Sequence, residues 1–420
     1  MKHYKNITEC RVCYSKSLTE VLRIDEQHLS PTFVSSNRNN VLSKIKVPQT
    51  LVLCRSCDLL QLKETVNPDL LYTNYFYRTS INDTMKKDLR GVVNSCLESV
   101  ELKDNDFVVD IGANDCTMLS YFPENLKRIG VEPAENIDWS HIDSSITIVN
   151  DYFSKSSLDR VLSNKKVKII TACAMFYDID KPNDFVADVK EVLHLDGIWC
   201  IQLSYLPLML GNMNFYDICN EHLEYYSLHT LQYLMQKNGL SIFHAEKNNV
   251  NGGSIKVFIT HSEKNIDTSK EFDNLYEEEN KLNLHKVDTY LVFKDKMGDL
   301  KNKISGYVKN EIKSGNLVIG LGASTKGNML LQFFGINKEM LSYISERNPS
   351  KVGLRTLGTD IELVSEEYAR KLNPSCMLVL PWYFKDEIVD REKEYIQSGG
   401  KLLFPMPYAH VVHKGGETLL

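Results

Sequence analysis

The stretch Phe107-Val-Val-Asp-Ile-Gly-Ala-Asn-Asp-Cys116 restricts the possible folds of this chain more than any other stretch. The mostly apolar residues 107–111 predict a short buried strand that breaks at Gly112 into a turn, and residues 117–122 predict the start of a helix. A strand, a glycine turn and a helix form the usual ligand-binding corner of an open α/β sheet. A turn without any ligand is the simpler alternative for this stretch alone.

The corner has too few glycines for a dinucleotide. A pyrophosphate is bound by the backbone N–H groups of a loop with three glycines, whereas Gly112 is followed here by Asn114-Asp-Cys116. The carboxylate of Asp110 suits a cofactor that carries an amino group. A second predicted strand, 127–131, ends at Glu132, where an acidic residue can accept hydrogen bonds from ribose hydroxyls. Because Glu132 fits NAD as well, the missing glycines decide for S-adenosylmethionine.

Further predicted elements continue this sheet. Residues 146–153 predict a third strand with Asp151 just past its end, a position that commonly contacts an adenine amino group in such folds. Strands and helices then alternate, which indicates a parallel, doubly wound α/β sheet, through a strand at 168–172, a helix at 180–194 and strands at 197–203 and 255–260. The predicted cofactor site comprises Asp110, Gly112, Asn114, Glu132, Asp151, Ala174 and Met175.

The composition is that of a globular protein with more than one domain. The chain has 420 residues, 43% of them hydrophobic and 25% charged, and this length is too great for a single core. Its net charge of −6 provides no broad basic field, so we expect no nucleic-acid partner. No apolar run approaches a membrane span or a signal-peptide core, so we expect no membrane partner and a cytoplasmic location.

Four of the ten cysteines form two Cys-X-X-Cys pairs, and they are the predicted metal ligands: Cys10, Cys13, Cys54 and Cys57. Tetrahedral Zn²⁺ takes four thiolates from two such turns, whereas cysteines that only fill a core have no reason to recur at this spacing. A closed four-thiolate site has no open position for a substrate. The predicted zinc is therefore structural and stabilises a region of about seventy residues that is otherwise poor in core.

Residues 215–227 are the candidate catalytic segment. Their sequence is too polar for a typical buried element and too aromatic for a solvated loop, and it contains the pair Glu221-His222. The aromatic residues 70–80, which include Tyr75 and Tyr77, fit a packed linker as well as a substrate wall.

A second glycine-rich corner lies at 317–328, where Gly-Leu-Gly-Ala-Ser-Thr-Lys-Gly precedes a predicted helix. Its small residues, hydroxyls and lysine suit a phosphate or pyrophosphate, although the order of a P-loop is absent and the motif alone is weak. Strands predicted at 341–345 and 377–380 make this region a second, smaller α/β domain. The charged residues 261–315 predict long bridging helices with a solvated face.

Six motifs in order resemble those of the three-domain nucleotide-sugar C-methyltransferases of deoxysugar biosynthesis, and the resemblance covers nearly the whole chain. They are the two Cys-X-X-Cys pairs, Asp-Ile-Gly-Ala-Asn-Asp at 110–115, Glu-His-Leu-Glu-Tyr-Tyr-Ser at 221–227, Asn-Gly-Gly-Ser at 251–254, Gly-Ala-Ser-Thr-Lys-Gly at 322–327 and Glu-Arg-Asn-Pro-Ser-Lys at 346–351. The resemblance implies methyl transfer from S-adenosylmethionine to a ring carbon, typically C3, of a 4-keto-6-deoxy sugar linked to TDP, CDP or GDP and destined for a surface polysaccharide.

The resemblance also implies domains and sites. We divide the chain into a zinc-binding module (1–70), a class I methyltransferase domain (71–260), a helical bridge (261–315) and a Rossmann-like domain (316–420). Glu221 and His222 are placed in the active site, and the nucleotide lies between the middle and C-terminal domains. The substrate-binding candidates are Asn251, Ser324, Thr325, Lys326, Arg347 and Asn348.

Methylation at carbon requires a base, because a sugar carbon becomes nucleophilic only when a proton is removed beside the ketone. His222 is the predicted base, since imidazole titrates near neutral pH, and Glu221 orients or polarises the site. Tyr225, Tyr75 or Tyr77 donates a hydrogen bond to the developing oxyanion.

The sequence departs from the family at two positions. Asp178 stands where many relatives carry histidine, and a carboxylate cannot donate a hydrogen bond as imidazolium can. Cys116 stands where glycine is usual. Two alternative functions stay open: a zinc-knuckle methyltransferase acting on RNA or protein, and a non-catalytic nucleotide-sugar-binding relative. The acidic net charge and the second α/β domain count against the first alternative.

Overall fold

The computed structural model describes residues 3–35, 41–73, 75 and 77–420, so Asn74 and Phe76 of the aromatic stretch, and residues 1, 2 and 36–40 of the predicted zinc module, lie outside the described residues. The N-terminal region is mostly strand. Its elements are β1 (Tyr4–Asn6), β2 (Leu18–His28), β3 (Phe33–Val34), β4 (Lys46–Cys54), β5 (Leu60–Leu62), β6 (Glu64–Val66) and the short helix α1 (Asp69–Tyr72).

The middle region contains the predicted α/β sheet. Its strands are β7 (Phe107–Ile111), β8 (Lys127–Val131), β9 (Ile146–Val149), β10 (Val167–Cys173), β11 (Leu193–Ser204), β12 (Glu224–Tyr225), β13 (Leu240–Asn248) and β14 (Ser254–His261). Its helices are α2 (Asp83–Ser99), α3 (Lys155–Leu162), α4 (Pro182–Val192), α5 (Leu206–Gly211) and α6 (Leu228–Lys237). The main sheet has the order β13–β14–β11–β10–β7–β8–β9.

Five neighbouring strands of this sheet are parallel to one another, in the order β9–β8–β7–β10–β11. Strands β14 and β13 extend the sheet beyond β11 as antiparallel strands. Strand β10 reads Val-Lys-Ile-Ile-Thr-Ala-Cys and is buried over most of its length. A nearly continuous apolar run of this kind is expected where helices cover both faces of a parallel sheet. The predicted α/β fold is therefore confirmed.

Two helices lead to the C-terminal region: α7 (Lys270–Asn280) and α8 (Val287–Lys313). The helices that follow are α9 (Thr325–Phe334), α10 (Glu366–Lys371), α11 (Lys385–Arg391) and α12 (Lys393–Gln397). The strands are β15 (Val318–Leu321), β16 (Tyr343–Glu346), β17 (Arg355–Thr356), β18 (Glu362–Ser365), β19 (Cys376–Val379), β20 (Lys401–Phe404), β21 (His410–His413) and β22 (Gly416–Leu419). They form a sheet in the order β22–β21–β20–β19–β15–β16–β18–β17–β3.

The N-terminal region is joined to both later regions by backbone pairing. Strand β12, from the middle region, adds to the N-terminal sheet β12–β5–β4–β2, and Glu224 pairs with Gln61. Strand β3 adds to the edge of the C-terminal sheet, where Phe33 pairs with Thr356. The candidate catalytic segment is thus held partly by the N-terminal region.

Three expectations need correction. Residues 117–122 form a 3₁₀ turn at Leu119–Tyr121 and no α-helix, because the chain before it turns sharply through residues with positive φ. Residues 214–228 are almost entirely buried, although their polarity argued against burial. Cations from other regions pair with two of their carboxylates, Arg11 with Glu224 and Lys326 with Asp217. The bridging helix α8 is more than a solvated face, since it buries a stripe that consists of Tyr290, Phe293, Met297, Leu300, Ile304 and Val308.

The four predicted zinc ligands lie together. The sulfurs of Cys10 and Cys57 are 3.6 Å apart, those of Cys13 and Cys54 are 3.4 Å apart, and all four lie within 4.8 Å of one another. A tetrahedral zinc ion with Zn–S bonds of about 2.3 Å requires sulfurs about 3.8 Å apart, so this set fits the ion. It fastens the turn before β2 to the end of β4, and hence the sheet that receives β12.

We expect the purified protein to contain about one zinc ion per chain. Cys54→Ser should lower the zinc content and destabilise the N-terminal region by several kcal/mol, since metal binding supplies folding free energy there. Metal analysis and hydrogen exchange of β2 and β4 measure both effects. Cys376→Ser, at a buried cysteine in β19, is the matched control and should keep the zinc. A fully folded and active metal-free protein would contradict this prediction.

Candidate functional site

The turn after β7 is strained in a way that explains its sequence. Gly112 has φ +74°, and a Cβ atom there would lie 3.1 Å from the Met175 side chain, so the position requires glycine. Asn114 and Cys116 also lie in the left-handed region, with φ +49° and +56°. The glycine that is usual at position 116 therefore matches the backbone conformation, which Cys116 adopts at some steric cost.

Glu132 is buried at the end of β8 and organises this turn. Its carboxylate accepts hydrogen bonds from the backbone N–H groups of Asn114 and Ala134, both at 2.9 Å. Burial raises the pKa of Glu132, and these two N–H groups oppose that rise. A carboxylate oxygen can accept more than one hydrogen bond, so Glu132 retains acceptor capacity for the hydroxyls of a ribose.

The other predicted cofactor residues lie along the same edge of the sheet. Asp110 lies near the end of β7 beside Thr171, whose hydroxyl donates to it at 2.8 Å. Burial raises the pKa of Asp110 to about 7, and a cationic amino group beside it would lower that pKa and favour the carboxylate. Ala174 and Met175 follow β10, and Asp151 is exposed beyond β9. This edge fits a cofactor with a ribose and an amino group.

The side chain of Asn114 is hydrogen-bonded to the aromatic segment, which we define as residues 75 and 77–81. Its amide nitrogen donates to the carbonyl of Tyr77 at 3.1 Å, and its oxygen accepts from the N–H of Thr79 at 3.2 Å. Arg78 donates to the carbonyls of Tyr75, Tyr77 and Asn136. These bonds attach the aromatic segment to the cofactor edge.

A groove lies between the aromatic segment and the C-terminal region. Several predicted substrate residues line it together with two of the three predicted tyrosines: Tyr75, Tyr77, Ser324, Thr325, Arg347 and Asn348. The Ser324 hydroxyl caps α9 by accepting from the N–H of Gly327 at 3.0 Å. The Arg347 side chain is about half exposed, and its Nη1 atom is 3.9 Å from Glu387.

The C-terminal corner has the same backbone plan as the cofactor corner. Glu346 ends β16 and accepts from the N–H groups of Ala323 and Asn348, at 2.9 and 2.8 Å. Gly322 has φ +79° in the turn before α9. Lys351 donates to the carbonyl of Ala323 at 2.9 Å, which holds this turn from the other side.

Glu221 and His222 are buried beside the C-terminal end of β10. The His222 ring lies 4.1 Å from the ring of Tyr177, measured between centroids. Within the described part of the chain, Oε2 of Glu221 and Oδ1 of Asp178 have no hydrogen-bond partner. Tyr75 lies close enough to these two carboxyls for their charges to raise its pKa, in addition to burial. The aromatic segment therefore connects the groove to this buried cluster.

Burial shifts the pKa values of the carboxyls and of the imidazole in this cluster in opposite directions. It raises the pKa of Glu221 to about 8, and it raises the pKa of Asp178 well above the usual range with a further contribution from the charge of Glu221. Burial, followed by the positive charge of Lys326, lowers the pKa of His222 well below its ordinary value. His222 is therefore a neutral and weakly basic imidazole, whereas Glu221 has the pKa of an effective base near neutral pH.

Three predicted residues have partners that their sequence motifs did not suggest. The Tyr225 hydroxyl donates to the backbone carbonyl of Asp217 at 3.2 Å. The carbonyl of Asn251 accepts from the Tyr216 hydroxyl at 2.9 Å. The amine of Lys326 lies 2.8 Å from the Asp217 carboxylate. Tyr225 is therefore bonded within the catalytic segment, and Asn251 and Lys326 contact this segment from outside.

Sequence reasoning missed several polar residues at the site. Arg11, inside the first Cys-X-X-Cys pair, is buried with its Nε atom 3.6 Å from Glu224. Asp217 belongs to the catalytic segment but was not singled out, and Glu346 belongs to a quoted motif without an assigned role. The position of Glu346 just past a strand that follows a glycine turn was the available signal, since Glu132 was found in that way.

Three family models match successive parts of the chain. A zinc binding domain matches residues 10–72, a methyltransferase domain matches residues 82–245, and a C-methyltransferase C-terminal domain matches residues 249–407. The first range contains the four clustered cysteines, and the second contains the edge formed by Asp110 and Glu132. None of the helices in the described ranges combines the length and apolar character needed to cross a membrane.

One curated relative and two solved structures illustrate the similarity. The C-methyltransferase NovU of Streptomyces niveus is 28% identical over 408 residues, which is 97% of each chain. An S-adenosylmethionine-dependent methyltransferase from Clostridium acetobutylicum is 13% identical, with a TM-score of 0.33 over 43% of this chain and 93% of its own. The plantazolicin methyltransferase BpumL is 9% identical, with a TM-score of 0.34 over 43% of this chain and 86% of its own. At such scores the two structures add nothing to the assignment.

The domain matches, the relative that is similar over nearly its whole length and the geometry of the cofactor edge agree. The chain is an S-adenosylmethionine-dependent C-methyltransferase with a zinc-binding domain before its methyltransferase domain.

Proposed function

We propose that this C-methyltransferase acts on a nucleotide-linked 4-keto-6-deoxy sugar, at C3, in deoxysugar synthesis for a surface polysaccharide. The observation that carries the proposal is the continuous groove between the glycine turn before α9 and the aromatic segment, where Tyr75 adjoins the buried carboxyls of Glu221 and Asp178. The glycine turn at one end of the groove suits the phosphates of a sugar nucleotide, and the buried carboxyls at the other end suit its ketone. The proposed domain boundaries are residues 1–70, 71–260, 261–315 and 316–420.

The diphosphate end is assigned to the C-terminal corner. The backbone N–H groups at the start of α9 and the hydroxyls of Ser324 and Thr325 are suitable donors to phosphate oxygens. Arg347 provides a cation that is weakly paired and half exposed, and Asn348 adds an amide. A phosphate there would be bound by charge and by hydrogen bonds at the same time.

The cofactor is assigned to the edge formed by Asp110, Gly112, Asn114, Glu132, Asp151, Ala174 and Met175. S-adenosylmethionine, when bound, supplies a methyl group on a cationic sulfur. Glu132 would accept from the ribose hydroxyls, and Asp110 would attract the cationic amino group. Asn114 contributes by holding the aromatic segment against this edge, since its amide already bonds Tyr77 and Thr79.

Proton removal beside the ketone is assigned to the buried cluster. We propose Glu221 as the base, because its pKa of about 8 suits proton abstraction near neutral pH. His222, which is neutral, would orient the sugar as a hydrogen-bonding group. Tyr75 or Tyr77 would donate to the developing enolate oxygen, as would Asp178 in its protonated form, so the carboxyl at position 178 is compatible with this reaction.

The direct test is methyl transfer from radiolabelled S-adenosylmethionine to a panel of TDP-, CDP- and GDP-linked 4-keto-6-deoxy sugars, with RNA and peptides included. Label in a carbon-methylated sugar nucleotide supports the proposal. Label in RNA or peptide would show that the substrate is a macromolecule and not a sugar nucleotide. No transfer to any acceptor would indicate a binding protein.

The cofactor assignment predicts the effect of Glu132→Ala. Losing a hydrogen bond to a charged group costs about 1.5 to 3 kcal/mol, so the affinity for S-adenosylhomocysteine should fall roughly ten-fold to a hundred-fold. Calorimetry measures this. Glu135→Ala removes an exposed carboxylate from the same loop and should leave the affinity unchanged. Equal affinities of the Glu132 variant and the wild type would show that the cofactor does not bind at Glu132.

The diphosphate assignment predicts the effect of Arg347→Ala. Removing one charge-assisted bond to phosphate should raise the KM for the sugar nucleotide about ten-fold, while the KM for S-adenosylmethionine stays the same. Steady-state kinetics with each substrate varied in turn measure the two constants. Arg160→Ala, at an exposed arginine on α3, is the charge-matched control. An equal rise in both constants would indicate a folding defect instead.

The base assignment predicts a pH profile. Glu221 accepts a proton only as the carboxylate, so the methyl-transfer rate should rise as pH increases through about 8. Glu221→Gln should lower the rate by about a hundred-fold to ten-thousand-fold and abolish this rise, whereas His222→Ala should be slower but retain the rise.

Exchange in heavy water with S-adenosylhomocysteine reports the proton step alone, provided that the abstracted proton can leave the site. Glu221→Gln should stop exchange of the proton beside the ketone. Exchange that persists in Glu221→Gln and stops in His222→Ala would make His222 the base.

A further inference from the structure

Lys326 lies at the start of α9, directly after the predicted phosphate residues, but its amine is directed at the catalytic segment. Its Nζ atom is 2.8 Å from Oδ1 of Asp217, and the two side chains are 15% and 1% exposed. It also lies over the ring of Tyr216, at 4.7 Å from the centroid, and 5.8 Å from that of Tyr383. The cation is therefore enclosed by a carboxylate and two aromatic faces.

Asp217 connects several parts of the catalytic segment through its backbone carbonyl. Its backbone carbonyl accepts from the Tyr225 hydroxyl at 3.2 Å and from the N–H of Cys219 at 3.0 Å. The same carbonyl acts on the His222 ring, where it opposes the lowering of the pKa by burial. An ion pair on the side chain of Asp217 thus fixes the backbone group that holds both ends of the turn around Glu221.

We infer that Lys326 is a positioning residue for the segment that carries Glu221 and His222, acting through Asp217, and that it is not a ligand of the substrate phosphates. The inference rests on the proposed function only for its kinetic measurements. It replaces the phosphate role that the sequence motif suggested for this lysine.

The cost of buried charge favours this role over phosphate binding. Asp217 is fully buried, and among the described residues Lys326 is the lysine or arginine that pairs with it. If the amine moved to a phosphate, the carboxylate would stay in a low-dielectric site without a counter-charge, which is strongly unfavourable. Arg347 is already available in the groove, so the phosphates do not require Lys326.

The position of Lys326 also gives it an electrostatic effect on the reacting groups. Its charge acts on Asp178, Glu221 and His222 together. Removing it should raise the pKa of both carboxyls and of the imidazole, because a cation favours the carboxylate and disfavours the imidazolium. The backbone carbonyl of Asp217 also acts on the His222 ring. The titratable groups that line one small cavity with His222 are the carboxyl of Glu224 and the hydroxyls of Tyr177, Tyr205 and Tyr225.

The test compares Lys326→Met, Asp217→Asn, the double variant and Arg347→Ala. Calorimetry with TDP, CDP, GDP and UDP measures the diphosphate site. Lys326→Met should bind the preferred nucleotide within about three-fold of wild type, whereas Arg347→Ala should bind it about ten-fold more weakly. The kcat of Lys326→Met should fall about a hundred-fold, and the double variant should be no slower than the slower single variant, because both changes remove one interaction. Lys326→Arg keeps the charge and should recover part of kcat.

Histidine titration followed by NMR provides a measurement that needs no sugar substrate. With ¹³C-labelled histidine, and with the His222 signal identified from His222→Gln, the ring pKa of His222 should rise in Lys326→Met. Nucleotide affinity that falls as far as in Arg347→Ala while kcat and the His222 titration stay unchanged would overturn the inference. If the wild type binds none of the nucleotides, the proposed substrate fails, and an unchanged His222 titration in a folded Lys326→Met would still reject the positioning role on its own.

Discussion

The structure depends on the burial of a polar segment. Residues 214–228 carry three carboxylates and are almost entirely out of solvent, and a buried charge is tolerated only where it is paired or protonated. Each neighbouring region supplies a partner. Arg11 from the zinc-binding region adjoins Glu224, and Lys326 from the C-terminal region pairs with Asp217. Glu221 forms no ion pair among the described residues, and burial raises its pKa to about 8 although the charge of Lys326 opposes that rise.

This arrangement makes the outer regions part of the candidate active site. The four cysteines hold the turn that contains Arg11, and the sheet they stabilise receives Glu224 and Tyr225 as its edge strand. A structural metal can therefore affect chemistry although it has no open coordination position. In the same way, α9 contributes one side chain to the catalytic segment while its first turn lines the groove. All three regions therefore contribute residues to the proposed reaction centre.

The two α/β corners have similar backbones but different side chains around them. In both, an acidic residue after the second strand accepts two backbone N–H groups of the turn, Glu132 in one case and Glu346 in the other. The surroundings differ. The first corner is covered by the aromatic segment and contains the buried Asp110, which suits a cationic cofactor. The second carries Arg347 and Lys351 beside the start of a helix, which suits an anion.

The sequence by itself determined the local features. The strand and glycine turn around Gly112, the alternation of strands and helices, and the spacing of the cysteines follow from side-chain periodicity, from the need for positive φ and from the geometry of metal ligands, all of which act within short stretches. Tertiary structure decided the rest. Strand β12 consists of only Glu224 and Tyr225, which is too short to recognise until β5 pairs with it. The partners of Lys326 and the pKa order of Glu221 and His222 depend on burial and on charges contributed by distant parts of the chain, and a short motif carries no information about either.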